Sequence, residues 1–417
     1  MEQALGYYNK ALPLAESLAE KEDKDQLFAV FLNTGRTLTL LCRFREAREH
    51  YNQALNLTKK MSDIDQAKVL LNFVEIDYLC GDDSSAKSRL DKIFDLLQSV
   101  DVSSEKATVK ANAYLSRGVQ AWEKNRNLNQ ALQDFDEAER VNPQTDDRDF
   151  QSVLDYNRGF VYYVDGEANP ESYEKAETCF RSAHDKASNE EFWNPARLAD
   201  SLRGLALVHS KQKKYTEAIK EIEEAINIFH FKRSQAKSFE SRAFLMNFGR
   251  QYYESYLEIF FEAQKAQKGA DFVESVFLKS DLAHSLSFFE LLQESKQRGK
   301  EVPLSMSQRE ALDKGSPMPA NLEDQARKLG SEYLPHPLPT LSQLQKSLCS
   351  DGKTVGLEYW LGVQKSYVWV ITDTSIKLYE LPPREKIEEA TRTLIKGCNP
   401  TLESGFVSTE KVKELAL

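Results

Sequence analysis

The sequence predicts a mainly α protein: an α-α superhelix, built as a solenoid of helical hairpins, followed by a Pro-rich linker and a small α+β segment with a three-strand antiparallel meander. Three observations predict this. A small-large-small triplet on one helical face recurs six times between residues 4 and 225. Six of the thirteen prolines fall between residues 303 and 339, a stretch that therefore holds neither a continuous helix nor a central strand. From residue 354 the periodicity changes from helical to strand-like.

The triplets are Ala4, Tyr8, Ala11; Ala47, Tyr51, Ala54; Ala86, Leu90, Ile93; Ala131, Phe135, Ala138; Ala176, Phe180, Ala183; and Ala218, Ile222, Ala225. Spacing of i, i+4, i+7 puts all three side chains on one face, where small residues admit a neighbouring helix and the large one fills the gap. Twelve to seventeen residues upstream of most triplets, a second helical segment carries a small residue near its middle: Gly35, Gly118, Gly159 and Ala206. Each unit reads as a helical hairpin, five in all, preceded by a half. That opening half is expected to be an unpaired capping helix or the remnant of a longer array. The second unit deviates, with Val74 at the glycine position and Leu90 and Ile93 in the triplet, so its helices are expected to pack further apart. In the fourth unit Gly166 to Pro170 lengthens the loop.

The pattern resembles the tetratricopeptide repeat, whose consensus has a Gly in helix A, then A-x3-F-x2-A in helix B and a terminal Pro; Gly159, Ala176, Phe180, Ala183 and Pro143 match it. The period here is about 43 residues, longer than the usual 34 or so, which allows roughly one more turn per helix. The resemblance implies a TPR-like array over residues 1–235. It also implies a concave face lined by helix A segments, with Arg36, Leu71, Glu75, Tyr78, Trp122, Tyr156, Phe160, Tyr163 and Arg203 as peptide-binding positions. Aromatic groups there would supply contact area and arginines would reach a ligand's carboxylates. The competing reading is that Tyr156, Phe160 and Tyr163 pack between repeats. The Lys and Asn pairs that clamp a chaperone's C-terminal carboxylate are absent.

Residues 236–300 read as a closing helical hairpin. Phe244, Phe248, Tyr252, Tyr253, Tyr256, Phe260 and Phe261 crowd its first helix, and a second is expected from about Asp271 to Ser295. His284 on that helix has no ligand-type partner at i±4. Residues 301–352 form the linker, with a short helix expected near Asn321 to Leu329. Strands are expected over Thr354–Leu361, Tyr367–Thr372 and Ile376–Glu380, and a helix from Arg384 to about Lys396.

In residues 353–417 the chain resembles the opening of the CHAT domain, a caspase-like peptidase module found downstream of such repeats. The resemblance rests on Leu357-Glu-Tyr-Trp-Leu-Gly362, Ser366-Tyr-Val-Trp-Val-Ile-Thr372 and Leu378-Tyr-Glu-Leu-Pro-Pro-Arg-Glu385, together with a preceding helix ending in Phe288-Phe-Glu-Leu-Leu292. It covers about 65 residues. The family's catalytic His and Cys are expected beyond this part: the last histidine is His336, and Cys398 is the only cysteine after Leu378. A thiol peptidase needs both groups, one to form the thiolate and one to protonate the leaving amine. Cys349 and His336 are both present near the linker, but a Pro-rich segment does not hold them at bonding distance.

Composition narrows the function. Against 55 Lys and Arg stand 65 Asp and Glu, a formal charge of −10 with no basic tract, so nucleic acid is not the expected partner. No apolar run is long enough to span a membrane. The five cysteines (Cys42, Cys80, Cys179, Cys349, Cys398) lie far apart, as suits buried reduced thiols in the cytoplasm. No phosphate loop, nucleophile elbow or zinc motif occurs, so no cofactor or metal is expected. The expectation is a non-enzymatic scaffold for a protein or peptide ligand. The alternative is the sensor portion of a caspase-like cysteine peptidase whose catalytic part lies beyond residue 417. The meander is expected to pack on the helical hairpin or to leave an apolar face and strand edge near residues 353–380 open to self-association.

Overall fold

The computed structural model describes residues 2–19, 24–41, 43–58, 62–98, 104–142, 147–188, 194–234, 239–267, 340–363 and 365–398, with 273–274, 276–278 and 280. The chain divides into two compact units, Met1–Gly249 with Glu301–Tyr333, and Arg250–Lys300 with Leu334–Leu417.

In the first unit, α1 (Glu2–Ala19) precedes five hairpins. These are α2 (Lys24–Leu40) with α3 (Phe44–Thr58), α4 (Asp63–Leu79) with α5 (Asp83–Leu96), α6 (Ser104–Glu123) with α7 (Leu128–Val141), α8 (Arg148–Asp165) with α9 (Ser172–Ala187), and α10 (Pro195–Lys211) with α11 (Tyr215–Ser234). Helix α12 (Phe239–Gln267) begins in this unit. The starts are written locally. Side-chain oxygens of Ser62, Asp82, Asn127, Asp147 and Asn194 each accept from the backbone N–H three residues on, satisfying a donor the helix cannot.

Five of the six triplets are core. Ala47, Tyr51, Ala54, Ala86, Leu90, Ile93, Ala131, Phe135, Ala138, Ala176, Phe180, Ala183, Ala218, Ile222 and Ala225 are all buried. The ring of each second helix lies on the glycine of its first: a Cβ at Gly118 would stand 2.5 Å from the Phe135 ring, one at Gly159 2.7 Å from Phe180, and one at Gly35 would overlap Tyr51. The first triplet differs. Ala4, Tyr8 and Ala11 are only half-buried, while Leu5 and Ala15 go inward, because α1 packs against α2 on one side. In the fifth hairpin Ala206 is buried as expected, but Gly204 has a second duty, receiving the Phe180 ring of the hairpin before it. The second hairpin closes on Val74, Leu90 and Ile93, all inaccessible. It adds a buried ionic knot: Asp77 of α4 takes Arg48 of α3 and Arg89 of α5, each at 2.8 Å.

The second unit holds the rest of α12, helical residues at 273–274, 276–278 and 280, α13 (Leu341–Leu348), three strands and α14 (Arg384–Cys398). Strands β1 (Gly356–Trp360), β2 (Ser366–Ile371) and β3 (Ile376–Leu381) form an antiparallel sheet in the order β1-β2-β3, with Trp360 opposite Tyr367 and Trp369 opposite Leu378. Of the two expected alternatives, one face follows each. Trp360, Tyr367 and Trp369 pack on Tyr253, Phe261 and Phe277 at ring separations of 6.3, 5.4 and 6.1 Å. Arg250 lies over the Trp360 ring and donates to the Leu361 carbonyl. The opposite face leaves Leu357, Tyr359 and Tyr379 about half exposed.

Two features depart from expectation. Helix α13, within the stretch read as linker, is set by a capping box between Thr340 and Gln343. Nor are all the thiols buried: Cys349 is, with Sγ donating to the Ile371 carbonyl at 3.5 Å, but Cys179 is half-buried and Cys80 exposed, because it caps α4 at the turn into α5. All three are free. Cys42, His284, His336 and the helix expected at 321–329 lie outside the described residues, as does the second closing helix beyond residue 280.

Candidate functional site: the wall of first helices

The first helix of each hairpin packs on the first helix of the next: α2 on α4, α4 on α6, α6 on α8 and α8 on α10. These first helices form a continuous row through the array. All nine positions predicted for ligand binding belong to these first helices.

The structure divides them into two groups. At one end, Arg36 of α2 is exposed, and its Nε donates to Asn72 Oδ1 at 3.0 Å. Leu71, Glu75 and Tyr78 follow along one face of α4. Leu71 and Tyr78 pack against the core of the second hairpin, and the Tyr78 hydroxyl donates to the Ser116 carbonyl at 3.4 Å. Glu75 is exposed.

At the other end, Trp122, Tyr156, Phe160, Tyr163 and Arg203 meet in one cluster across α6, α8 and α10. Trp122 stacks on Phe160 at 5.6 Å with the rings 7° from parallel. The Arg203 guanidinium covers Phe160 at 4.8 Å and donates to the Tyr156 hydroxyl at 3.3 Å. Tyr156 and Phe160 both meet the buried Phe180 edge-on, and Lys211 sits 5.9 Å from the Tyr163 ring. Phe160 itself is buried, while Trp122, Tyr156, Tyr163 and Arg203 are half-buried. The cluster thus joins three hairpins and also presents surface. Burial pushes the Tyr156 hydroxyl up to about 12, with Asp200 adding to the shift and Arg203 opposing it, so it remains a neutral donor and acceptor.

Glu75 and Glu123 are both exposed. Desolvation by the surrounding protein raises both above the usual carboxylate range. Arg36 and Arg197 pull Glu75 back; Lys124, Arg203 and Arg126 pull Glu123 back, while Asp83 pushes it further up. Sequence reading missed Glu123, Arg197 and Asn72. Glu123 follows Trp122 directly, but helical spacing alone does not turn it toward the wall.

Among the described residues, no three His, Cys, Asp or Glu side chains are placed to hold a metal ion, and no helix is long and apolar enough to cross a membrane.

Residues 1–60 match the tetratricopeptide repeat family. No curated protein matches the chain. Among solved structures it is similar to BtubC of P. vanneervenii, at 16% identity and TM-score 0.42 over 54% of this chain and 90% of that one. It is also similar to a thermophilic TPR protein of Thermus thermophilus, at 21% identity and TM-score 0.34 over 55% of this chain and 99% of that one. The chain is mostly helical, with a tetratricopeptide-like array of helical hairpins and a small three-stranded sheet near its C-terminus.

Proposed function

We propose that the repeat array binds a peptide or an extended protein segment along the wall formed by α2, α4, α6, α8 and α10. The observation that carries this reading is the cluster of Trp122, Tyr156, Tyr163 and Arg203, four half-buried side chains of types that dominate interface energetics, gathered on Phe160 by one stacked, two edge-on and one cation–π contact. Rigid rings lose little entropy on binding. On this reading the array corresponds to residues 1–235, and the chain binds without catalysing.

A finer assignment is that residues 353–417 are the first part of a CHAT-like domain, which would make the repeats the sensor of a cysteine peptidase. Its support is the run of three strands and a helix at the positions the resemblance implies. The exposed Leu357, Tyr359 and Tyr379 would then take a further layer of that domain, or a second chain.

The test of the binding reading is a capture experiment with the full chain and the double variant Tyr156→Ala/Tyr163→Ala. Proteins retained by the parent should be lost by about ten-fold or more, as for interface aromatics worth at least about 1–2 kcal/mol. Helicity by circular dichroism should be unchanged. An identical captured set in a folded variant would overturn the groove as the binding surface.

A further inference from the structure

The fourth and fifth hairpins meet around a buried histidine. His209, in the last turn of α10, is 5% exposed, and each of its ring nitrogens faces a carboxylate. Nδ1 stands 2.7 Å from Glu221 Oε2 on α11, and Nε2 stands 3.4 Å from Glu177 Oε1 on α9. One imidazole thus spans three helices of two hairpins. A neutral ring has one N–H and one lone pair, so between two carboxylates it would turn the lone pair toward an ionised oxygen. Only the imidazolium offers a proton to both. The C-terminal end of a helix, where carbonyls are left without partners, favours the same positive charge.

The surroundings keep the Glu177 partner charged. Arg181 of its own helix lies 2.8 Å from Glu177, Gln212 donates to it at 3.1 Å, and Lys214 stands 3.8 Å away. Burial alone would raise this carboxyl, but Arg181, Gln212 and His209 outweigh it and hold it at about 2. The turn after α10 closes on the same residue, with the Lys214 N–H donating to the His209 carbonyl at 2.8 Å. On the α8 side, Lys211 pairs with Glu167, just past the end of α8, at 3.9 Å. The hydrogen bond with Glu221 raises the His209 pKa above its ordinary value, desolvation opposes it, and Glu177 adds to the rise.

We propose that His209 is a proton-operated clasp between the fourth and fifth hairpins: charged, it ties Glu177 to Glu221 across α10, and on losing its proton to solvent it releases one of them and loosens the junction. The clasp needs no ligand and stands apart from the groove reading above. Because the folded chain holds this proton more tightly than the unfolded one, the clasp contributes its full stability below the unfolded histidine value of about 6.5 and loses it as the pH rises through the higher folded value. Alkaline conditions should therefore part the array first at this junction.

The test follows the histidine ring signals of the full chain by NMR from about pH 5 to about pH 9. The His209 signal, the one missing from His209→Gln, should titrate above about 6.5, and Glu221→Gln should move its midpoint down while leaving the other five histidines unchanged. In urea unfolding at about pH 6, His209→Gln should lower the folding equilibrium constant by about ten-fold, the loss of a hydrogen bond to a charged group. Parent and variant should converge as the pH rises to about 9. A His209 midpoint at or below about 6.5 overturns the proposal, as does a gap between parent and variant that is equal at both ends of the range. Should His209→Gln fail to fold, Glu221→Gln decides: one histidine signal shifted downward supports the clasp, and none shifted overturns it.

Discussion

Replacing Phe180 by Ala is expected to lower stability by about 3–5 kcal/mol, the upper range for a fully buried aromatic. Phe180 is inaccessible, lies on Gly159 within its own hairpin and on Gly204 in the next, and meets Tyr156 and Phe160 edge-on. The void would therefore open between two hairpins as well as inside one. In a stack where each repeat leans on its neighbours, losing an interface also uncouples them. Urea unfolding followed by circular dichroism should show an earlier and broader transition. Phe135→Ala, whose ring lies on Gly118 of its own hairpin, should cost less in coupling and keep the transition sharp. A shift below about 1 kcal/mol for Phe180→Ala would mean that the glycine-aromatic contacts do not hold the array together.

Asp77→Asn should produce the second large loss, about 2–3 kcal/mol. The Asp77 side chain is inaccessible and is the shared counter-charge of Arg48 and Arg89, which tie α3 and α5 to α4. The amide keeps the shape but leaves two guanidinium groups facing each other without an anion, and removing one member of a buried ion pair costs about 3–5 kcal/mol. The arginines keep roughly a third of their side-chain surface in water, which reduces the penalty. Glu49→Gln, breaking an exposed pair with Arg45, should change the urea midpoint by less than about 0.5 kcal/mol. Equal effects for the two substitutions would contradict the structural role given to Asp77.

The hairpins were legible because their signal is periodic and redundant. Tyr51, Phe135 and Phe180 each need a glycine opposite, and that reciprocal requirement is written at both ends of the hairpin. The strands were legible because Tyr367 to Ile371 offers no helical face and is bounded by Gly362 and Asp373. Helix α13 was obscured by the prolines before it, although Thr340 and Gln343 carry a capping box in plain sight. The wall was half legible. Helical spacing puts Tyr156, Phe160 and Tyr163 on one side of α8, but whether an aromatic is spent on the core or offered to a ligand depends on its neighbours. Phe180 and Arg203 bury Phe160 and leave Tyr163 accessible. Charges are harder still. Arg36 and Arg203 look like ligand-seeking groups until Asn72 and Tyr156 appear beside them, on neighbouring first helices in space and dozens of residues away in sequence. Desolvation by neighbouring helices raises the Glu75 and Glu123 carboxyls, which no local pattern encodes.

Hydrogen exchange of the full chain, alone and saturated with a protein that it captures, tests the central claim, that the row of first helices is the working surface. Slowed exchange should concentrate in α4, α6, α8 and α10, reaching Tyr78, Trp122 and Tyr163, while α3, α5, α7 and α9 exchange as before. Protection confined to those second helices, or to the strands from Gly356 to Leu381, would contradict it.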